Sequence, residues 1–191
     1  MAITHTNRKG KTYYLHQGTT KSGKPNYFFA LRAEGDLVDS FPPGYEIYEN
    51  PNSQVFLRRK RPQIITDEEV ATVKAGMQQY CRLEKFIVDV KKNAITIYTP
   101  DQETDLMADT LGDLFGLEKS MVRSVMEGYL SFSPMMQFVL VDKSRRLFDA
   151  QRYCFRGSID DWITIEYRDD LSNLVKTYVE HLGEESFYDL I

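Results

Sequence analysis

Cationic and aromatic side chains alternate near the start of the chain in a pattern that suits a polyanion. Lys21 and Lys24 lie in a turn segment, TTKSGKP, between two strand-like stretches that contain Tyr14 and Phe28. Nucleic acid binding uses cations for phosphates and flat rings for stacked bases, and a two-stranded ribbon can enter a major groove. A second cationic run follows later in the chain: Arg58, Arg59, Lys60 and Arg61. We therefore predict that these residues form a partner-binding surface, for a nucleic acid or for an acidic protein.

A purely structural interpretation of the same residues stays open. Lysines along the edge of a hairpin protect it from unwanted strand pairing, and a solvated edge needs no partner. The two interpretations differ in one respect. A binding hairpin leaves Tyr14 or Phe28 exposed beside Lys21 and Lys24, whereas a structural hairpin buries both rings.

The segment RRLFDAQRYCFRGSIDDWITIEYRDD, residues 145–170, reads as two strands joined by a tight turn and holds the only Trp. At the turn, Arg156 can pair with Asp160 or Asp161, and Trp162 can form the floor of a pocket. Trp and Arg are also frequent in protein contact hot spots. An enzyme or small-ligand site at this turn is the first alternative to the binding hairpin, and a structural turn is the simplest interpretation.

An acidic stripe marks a predicted helix over residues 101–115. Asp101, Asp105, Asp109 and Asp113 recur every four residues, and like charges at that spacing destabilise a helix by roughly 0.2–0.5 kcal/mol per pair. A cationic partner would explain the pattern, and the chain's own Arg58–Arg61 run is one candidate. The second alternative function is therefore a structural subunit that docks through this helix.

Other enzyme chemistry finds little support in the residues. Glu69, Asp89 and Lys91 resemble part of a magnesium nuclease core, but the second strand acid of that pattern is missing. The three histidines share no metal-ligand spacing, and His16 on an aromatic strand reads as a half-buried surface residue. Cys154 reads as a small core residue. The residues do not identify a catalytic residue, and we predict no cofactor and no metal site.

Composition indicates a globular chain of 191 residues with 42% hydrophobic and 27% charged residues. Residues 1–62 carry ten Lys/Arg against five Asp/Glu, a net charge of +5, whereas residues 63–191 carry fourteen against twenty-three, a net charge of −9. We predict a basic β-rich part, 1–62, and an acidic α+β body, 63–191, with a single domain over 1–191 as the alternative. No apolar run approaches the ~18 residues of a membrane span.

The elements follow from hydrophobic spacing and turn signals. Hairpins are predicted at 12–30, 45–58 and 85–98, and Thr66 with Glu69 forms a capping box that begins a helix ending near Cys81. Helices are also expected at 100–116, 118–127 and 171–182. The run 135–141 predicts a central strand buried on both faces. The fold class is therefore α+β, with a mainly antiparallel sheet of hairpins, about four helices and a basic aromatic hairpin at the front.

Three segments, NRKGKTYYLHQG, YCFRGSIDDW and HLGEESFYDL, resemble an uncharacterised group of bacterial proteins. The resemblance spans most of the chain and implies no activity, ligand or catalytic residue. The first residues, MAITHTNRKGK, lack the apolar core of a signal peptide, and two scattered cysteines do not form a disulfide framework. We therefore expect a reduced bacterial cytoplasmic protein without membrane contact.

Overall fold

The computed structural model describes residues 1–101, 110, 111, 113–155 and 159–190. The chain forms two compact units, residues 1–62 and 63–191. The boundary between them in the sequence falls where the net charge changes sign. Every described strand pairing is antiparallel, and the described helices belong to 63–191. The predicted α+β class with antiparallel sheets is confirmed.

The first unit contains five strands in two small sheets. Their bounds are β1 Thr4–Thr6, β2 Thr12–Thr19, β3 Pro25–Ala30, β4 Tyr45–Glu49 and β5 Val55–Arg59. One sheet has the order β1-β2-β3 and the other pairs β4 with β5. Their inner faces share one apolar cluster around Leu15, Phe29 and Val55. Because strand side chains alternate between faces, the intervening residues of each hairpin point away from this core.

The predicted front hairpin is confirmed as β2–β3, and it is longer than the sequence pattern indicated. The short strand β1 was not predicted. The interpretation of His16 as half-buried was wrong, because only 1% of its surface is exposed. The segment after β3 folds over its ring: His16 Nε2 lies 2.9 Å from the Arg32 carbonyl oxygen, and His16 forms an isolated bridge with Leu37.

The second unit packs helices against one face of a five-stranded sheet. Its elements are α1 Asp67–Tyr80, β6 Ile87–Lys91, β7 Ala94–Pro100, α2 Lys119–Tyr129, β8 Phe132–Asp142, β9 Leu147–Cys154, β10 Asp161–Asp170 and α3 Leu171–Tyr178. The strand order is β10-β9-β8-β7-β6. Two short 3₁₀ helices follow α3, at Val179–His181 and Glu185–Asp189. The core joins sheet residues such as Phe138 to residues of α1 and α3.

The capping box of α1 is present as predicted. The Thr66 hydroxyl accepts a hydrogen bond from the Glu69 amide, and the Glu69 carboxylate accepts one from the Thr66 amide at 2.8 Å. The apolar stripe of the last helix is also buried as expected, at Leu171, Leu174 and Val175. Its last turn tightens into a 3₁₀ helix rather than continuing as α-helix to 182.

The central position of β8 is confirmed, but burial on both of its faces was a wrong prediction. Met136, Phe138 and Leu140 are buried under the helices, whereas Val141 is 43% exposed. The opposite face carries polar groups that bond between strands; for example, the Gln137 amide donates to the Gln151 amide oxygen at 2.6 Å. An antiparallel sheet covered by helices on one side needs apolar residues only there.

Pro100 does not begin a helix, because β7 continues through it and pairs it with Phe132 of β8. Proline is tolerated at a strand end, where its missing N–H is not needed by the ladder. Most of the predicted helix 101–116, with Asp105 and Asp109, lies outside the described residues. Asp101 and Asp113 are described, and both are exposed.

Candidate functional site

The tip of the β2–β3 hairpin is a fixed turn that carries two free ammonium groups. The Thr20 hydroxyl accepts a hydrogen bond from the Lys24 amide at 3.1 Å, and the Thr20 amide donates to the Lys24 carbonyl at 2.8 Å. Gly23 has φ +78°, a conformation that glycine adopts without strain. Lys21 and Lys24 are exposed, and neither makes an ion pair with a described residue. The turn therefore presents two positive charges on a rigid backbone.

Phe28 provides an exposed ring on the outer face of the same hairpin. Its ring stacks on the buried His16 ring, with centroids 5.4 Å apart and planes 12° apart. Because His16 is held from below by the Arg32 carbonyl, the Phe28 ring is supported on one face while 42% of its surface remains exposed. Tyr14 is half-buried. Phe28 therefore has the exposure that a binding hairpin requires, and it lies four residues along the chain from Lys24.

Arg58 is already engaged within its own hairpin and differs from the three cations that follow it. Its Nε donates to Glu46 Oε1 at 2.7 Å, and its guanidinium carbon lies 4.1 Å from the centroid of the Tyr48 ring. Both contacts are on the outer face of β4–β5, because Glu46 and Arg58 are paired across the strands. Arg58 is therefore a structural residue of the β4–β5 hairpin.

Arg59 is connected to the β2–β3 hairpin by contacts with two aromatic rings. Its guanidinium carbon lies 5.8 Å from the Tyr45 ring centroid, and the Tyr45 ring meets the Tyr27 ring edge-on at 6.1 Å. Tyr27 lies three residues from Lys24, which corresponds to roughly 10 Å along a strand. The Lys24 turn and the end of β5 are therefore at the same end of the unit.

We call this surface the basic end. It comprises the exposed cations and the two half-buried rings between them: Lys21, Lys24, Tyr27, Tyr45, Arg59, Lys60 and Arg61. Sequence reasoning assigned the cations of both groups to one partner-binding surface but identified no contact that joins them, and it missed Tyr45. The available signal was the position of Tyr45 at the start of a strand whose partner ends in Arg59.

The first unit is held together at another point by a carboxylate with several donors. Glu49 on β4 accepts hydrogen bonds from the Arg8 backbone amide at 3.0 Å and from Arg8 Nε at 2.7 Å. His5 Nε2 on β1 lies 3.4 Å from the same carboxyl group, and Arg8 Nη2 donates to the Asn50 carbonyl. Burial raises the pKa of Glu49, but the donors of Arg8 and His5 together outweigh burial and lower that pKa below 4.5.

This carboxylate predicts an acid-sensitive step in residues 1–62. A carboxyl group with a lowered folded-state pKa stabilises the fold fully above its unfolded pKa of about 4.5, and that contribution is lost as pH falls through the lowered value. Glu49→Gln should remove it at neutral pH, at a cost of about 1.5–3 kcal/mol for charged hydrogen bonds. Amide hydrogen exchange in β1 and β4 between pH 3 and pH 7 measures both effects.

Glu46→Gln is the matched control for that experiment. Glu46 pairs with Arg58 on the exposed face of the same strand, and exposed ion pairs contribute about 0–1 kcal/mol. The two variants should therefore differ by about 0.5–3 kcal/mol in the free energy of local opening, with Glu49→Gln the less stable. Equal effects would show that Glu49 has no special role.

The turn predicted as a pocket is described only in part, because Arg156 lies outside the described residues. The Tyr153 hydroxyl donates to the Asp160 carboxylate at 3.1 Å, and the Trp162 ring meets the Tyr153 ring edge-on at 5.1 Å. Asp161 accepts a hydrogen bond from the Trp162 amide at 2.8 Å. Burial, followed by the hydrogen bond to Asp160, raises the pKa of Tyr153, so this phenol is a poor general base.

Neither of the two main cavities of the second unit is lined by Asp160, Asp161 or Trp162. The larger, of about 780 Å³, lies among Leu83, Pro100 and the C-terminal tail. Two of its lining cations are paired: Lys85 Nζ lies 2.6 Å from Glu127 Oε1, and Arg82 Nη1 lies 3.2 Å from Glu184 Oε1. The described part of the predicted turn therefore does not border either cavity.

The fold keeps two members of the partial nuclease pattern together, with Lys91 Nζ 3.7 Å from Asp89 Oδ2, but engages Glu69 elsewhere. Glu69 is bound by Arg146, whose Nε and Nη2 donate to its two carboxylate oxygens at 2.8 and 2.6 Å. Asp89 lies between Val88 and Val90, which pack on the helix-covered core, so its side chain points to the opposite face of the sheet. Across the described ranges, no group of three His, Cys, Asp or Glu side chains could hold a metal ion.

Comparison with known proteins provides no relative for this architecture. No family model matches the chain, and no curated protein or solved structure matches it either. Within the described residues, no helix combines the length and the apolar character needed to cross a bilayer.

Proposed function

We propose that residues 1–62 bind single-stranded nucleic acid through the basic end. The observation that carries the proposal is the contact chain from Arg59 through Tyr45 to Tyr27, which brings two separate groups of cations together. Five exposed cations then surround two half-buried rings: Lys21, Lys24, Arg59, Lys60 and Arg61. Such a combination suits a phosphate backbone with stacked bases.

Exposed rings favour a single strand over a duplex. Phe28 is not part of the basic end, because it points to the opposite face of β3 from Tyr27. Its ring is 42% exposed on a rigid support, and an unpaired base of a strand that continues past the Lys24 turn can stack on it, whereas bases in a duplex are already stacked on each other. Base–aromatic stacking contributes about 1–3 kcal/mol per base. An acidic protein would use the same cations but would have no need of an exposed phenyl ring.

Fluorescence anisotropy with labelled single-stranded DNA, single-stranded RNA and duplex DNA tests the proposal. If all five cations contact phosphates, the slope of log K against log salt should be about −3.5 for a single strand. Affinity should then fall about 100-fold between roughly 50 and 200 mM salt. Absence of binding to every oligonucleotide at the lower salt concentration would rule the proposal out.

Charge-neutralising variants locate the interface. Lys21→Gln with Lys24→Gln should make the salt slope shallower by about 1.4, because each phosphate contact contributes about 0.7 for a single strand. Lys74→Gln with Lys143→Gln removes the same charge from exposed positions of the second unit and should leave the slope unchanged. An equal change of the salt slope in both double variants would indicate nonspecific attraction of the oligonucleotide to the whole molecule.

Ring variants separate nucleic acid from an acidic protein. Phe28→Leu keeps an apolar side chain above His16 but removes the ring, and it should weaken single-strand binding about 5- to 100-fold. Phe56→Leu changes a similarly exposed ring on β5 and should have no effect. If polyglutamate of matched length displaces the oligonucleotide equally well, the ligand is an acidic chain rather than a nucleic acid.

A further inference from the structure

Residues 114–129 of the second unit carry a large uncovered apolar surface. Six large apolar side chains are each more than half exposed there: Leu114, Phe115, Leu117, Met121, Val125 and Tyr129. Free aromatic side chains alone present about 150–250 Å² each, so the surface amounts to several hundred Å². A standard protein interface takes about 800 Å² from each partner, and this apolar surface can supply a large part of that area.

The exposed face of α2 has the shape of a ridge beside a groove. Large side chains recur every four residues along the helix, at Met121, Val125 and Tyr129, and form the ridge. A parallel row of small residues, Ser120, Ser124 and Gly128, lies next to it and is also exposed. No atom lies within 4 Å of the position that a Cβ on Gly128 would occupy. The groove is therefore open to another molecule.

We propose that α2 of one copy packs against α2 of a second copy about a two-fold axis. The ridge of each helix enters the groove of the other, as rows spaced by four residues do when helices cross at about −50°. A two-fold interface uses the same surface on both partners, and a helix that carries both a ridge and its complementary groove satisfies that requirement by itself. The axis passes between Val125 of the ridge and Ser124 of the groove, near the middle of α2.

The charge distribution favours a second copy of the chain, rather than a membrane surface, as the partner of α2. Arg123 and Glu127 lie on the far side of α2 from Val125 at 100° per residue, and Glu127 is bound to Lys85 at 2.6 Å. No like charges therefore face each other in the proposed contact. Helices that lie on anionic membranes carry a face rich in Lys and Arg, whereas residues 118–129 carry two acids and two bases, and residues 101–113 carry five acids and no base.

Sedimentation velocity over a range of concentrations tests the pairing. The wild-type chain should sediment as a dimer, and Val125→Glu should sediment as a monomer because each copy would bury a carboxylate against its partner. Tyr167→Glu places the same charge at a different exposed apolar position of this unit, and this variant should remain dimeric. Since both residues are exposed, thermal unfolding at low concentration should be nearly unchanged in both variants.

A cross-link identifies the face directly. Ser124→Cys should form a disulfide-linked dimer on mild oxidation, whereas Ser144→Cys, exposed in a turn far along the chain, should not. Cys81 and Cys154 are present in both variants and provide the same background. The pairing is overturned if the wild type stays monomeric at about 100 μM, if Val125→Glu remains dimeric, or if the wild-type monomer binds anionic vesicles through this face.

Discussion

Gly76→Ala should destabilise residues 63–191, although alanine is the better helix former. An ideal Cβ on Gly76 would lie 2.0 Å from Cγ1 of Val175, where α1 meets α3. Helix propensity favours alanine by about 1 kcal/mol, whereas overpacking of a tight core costs about 1–3 kcal/mol and occasionally more. A contact of 2.0 Å places this site at the upper end, so we expect a net loss of about 2 kcal/mol.

Gly128→Ala is the matched control, because it is the same change in another helix with open space around it. Propensity acts alone there, and we expect a gain of about 0.5–1 kcal/mol. Trp162 is the only tryptophan of the chain, so its fluorescence reports unfolding of the second unit in both variants. The measurements should be made at a low protein concentration, where self-association of α2 does not contribute.

A double variant shows whether the Val175 methyl group is responsible. Val175→Ala should restore part of the stability lost in Gly76→Ala, and the coupling free energy should be about 0.5–3 kcal/mol. If both glycine variants raise the unfolding midpoint equally, α1 and α3 do not meet closely at Gly76.

Arg152→Met should release the C-terminal tail from the second unit. Arg152 is only 9% exposed, and its Nε donates to the Leu190 carbonyl at 2.6 Å while Nη2 donates to the Tyr188 carbonyl at 3.4 Å. Hydrogen bonds to a charged group contribute about 1.5–3 kcal/mol, and methionine replaces the volume but not the donors. We expect the free energy of unfolding to fall by about 2–3 kcal/mol, because removal of the buried charge also removes its desolvation cost.

The tail provides a local readout for this change. Phe187 is 1% exposed in the wild type, so amide exchange and carboxypeptidase digestion of residues 185–190 should both accelerate in Arg152→Met. Arg145→Met is the control, because Arg145 is 66% exposed and pairs only with Asp142 nearby. Its loss should be below about 1 kcal/mol. Tail exchange that is equal in the two variants would show that Arg152 does not hold the tail.

Local patterns in the sequence predicted much of this fold correctly, because their physical causes are local. The capping box at Thr66 needs only residues 66–69, the apolar stripe from Leu171 needs only helical spacing, and alternation is enough for the β6–β7 hairpin. The abrupt change of charge near Pro62 was visible in the same way, and it coincides with the division into two units.

Burial and partnership depended on contacts between distant parts of the chain. His16 is buried because a later loop covers it, and one face of β8 is open because α1 and α3 pack on the other. The spacing of apolar residues alone cannot distinguish a strand that is buried on both faces from a strand that is buried on one face.

The candidate site divides in the same way between sequence and structure. The sequence by itself determined which residues carry charge and which carry rings, including Lys21, Lys24 and Phe28. Only the tertiary structure decided that Arg58 is engaged within its hairpin and that Tyr27 and Tyr45 join the remaining cations into one surface. The physical reason is that these ring contacts and ion pairs join residues 10 to 18 positions apart in the sequence through strand packing, which no local periodicity encodes.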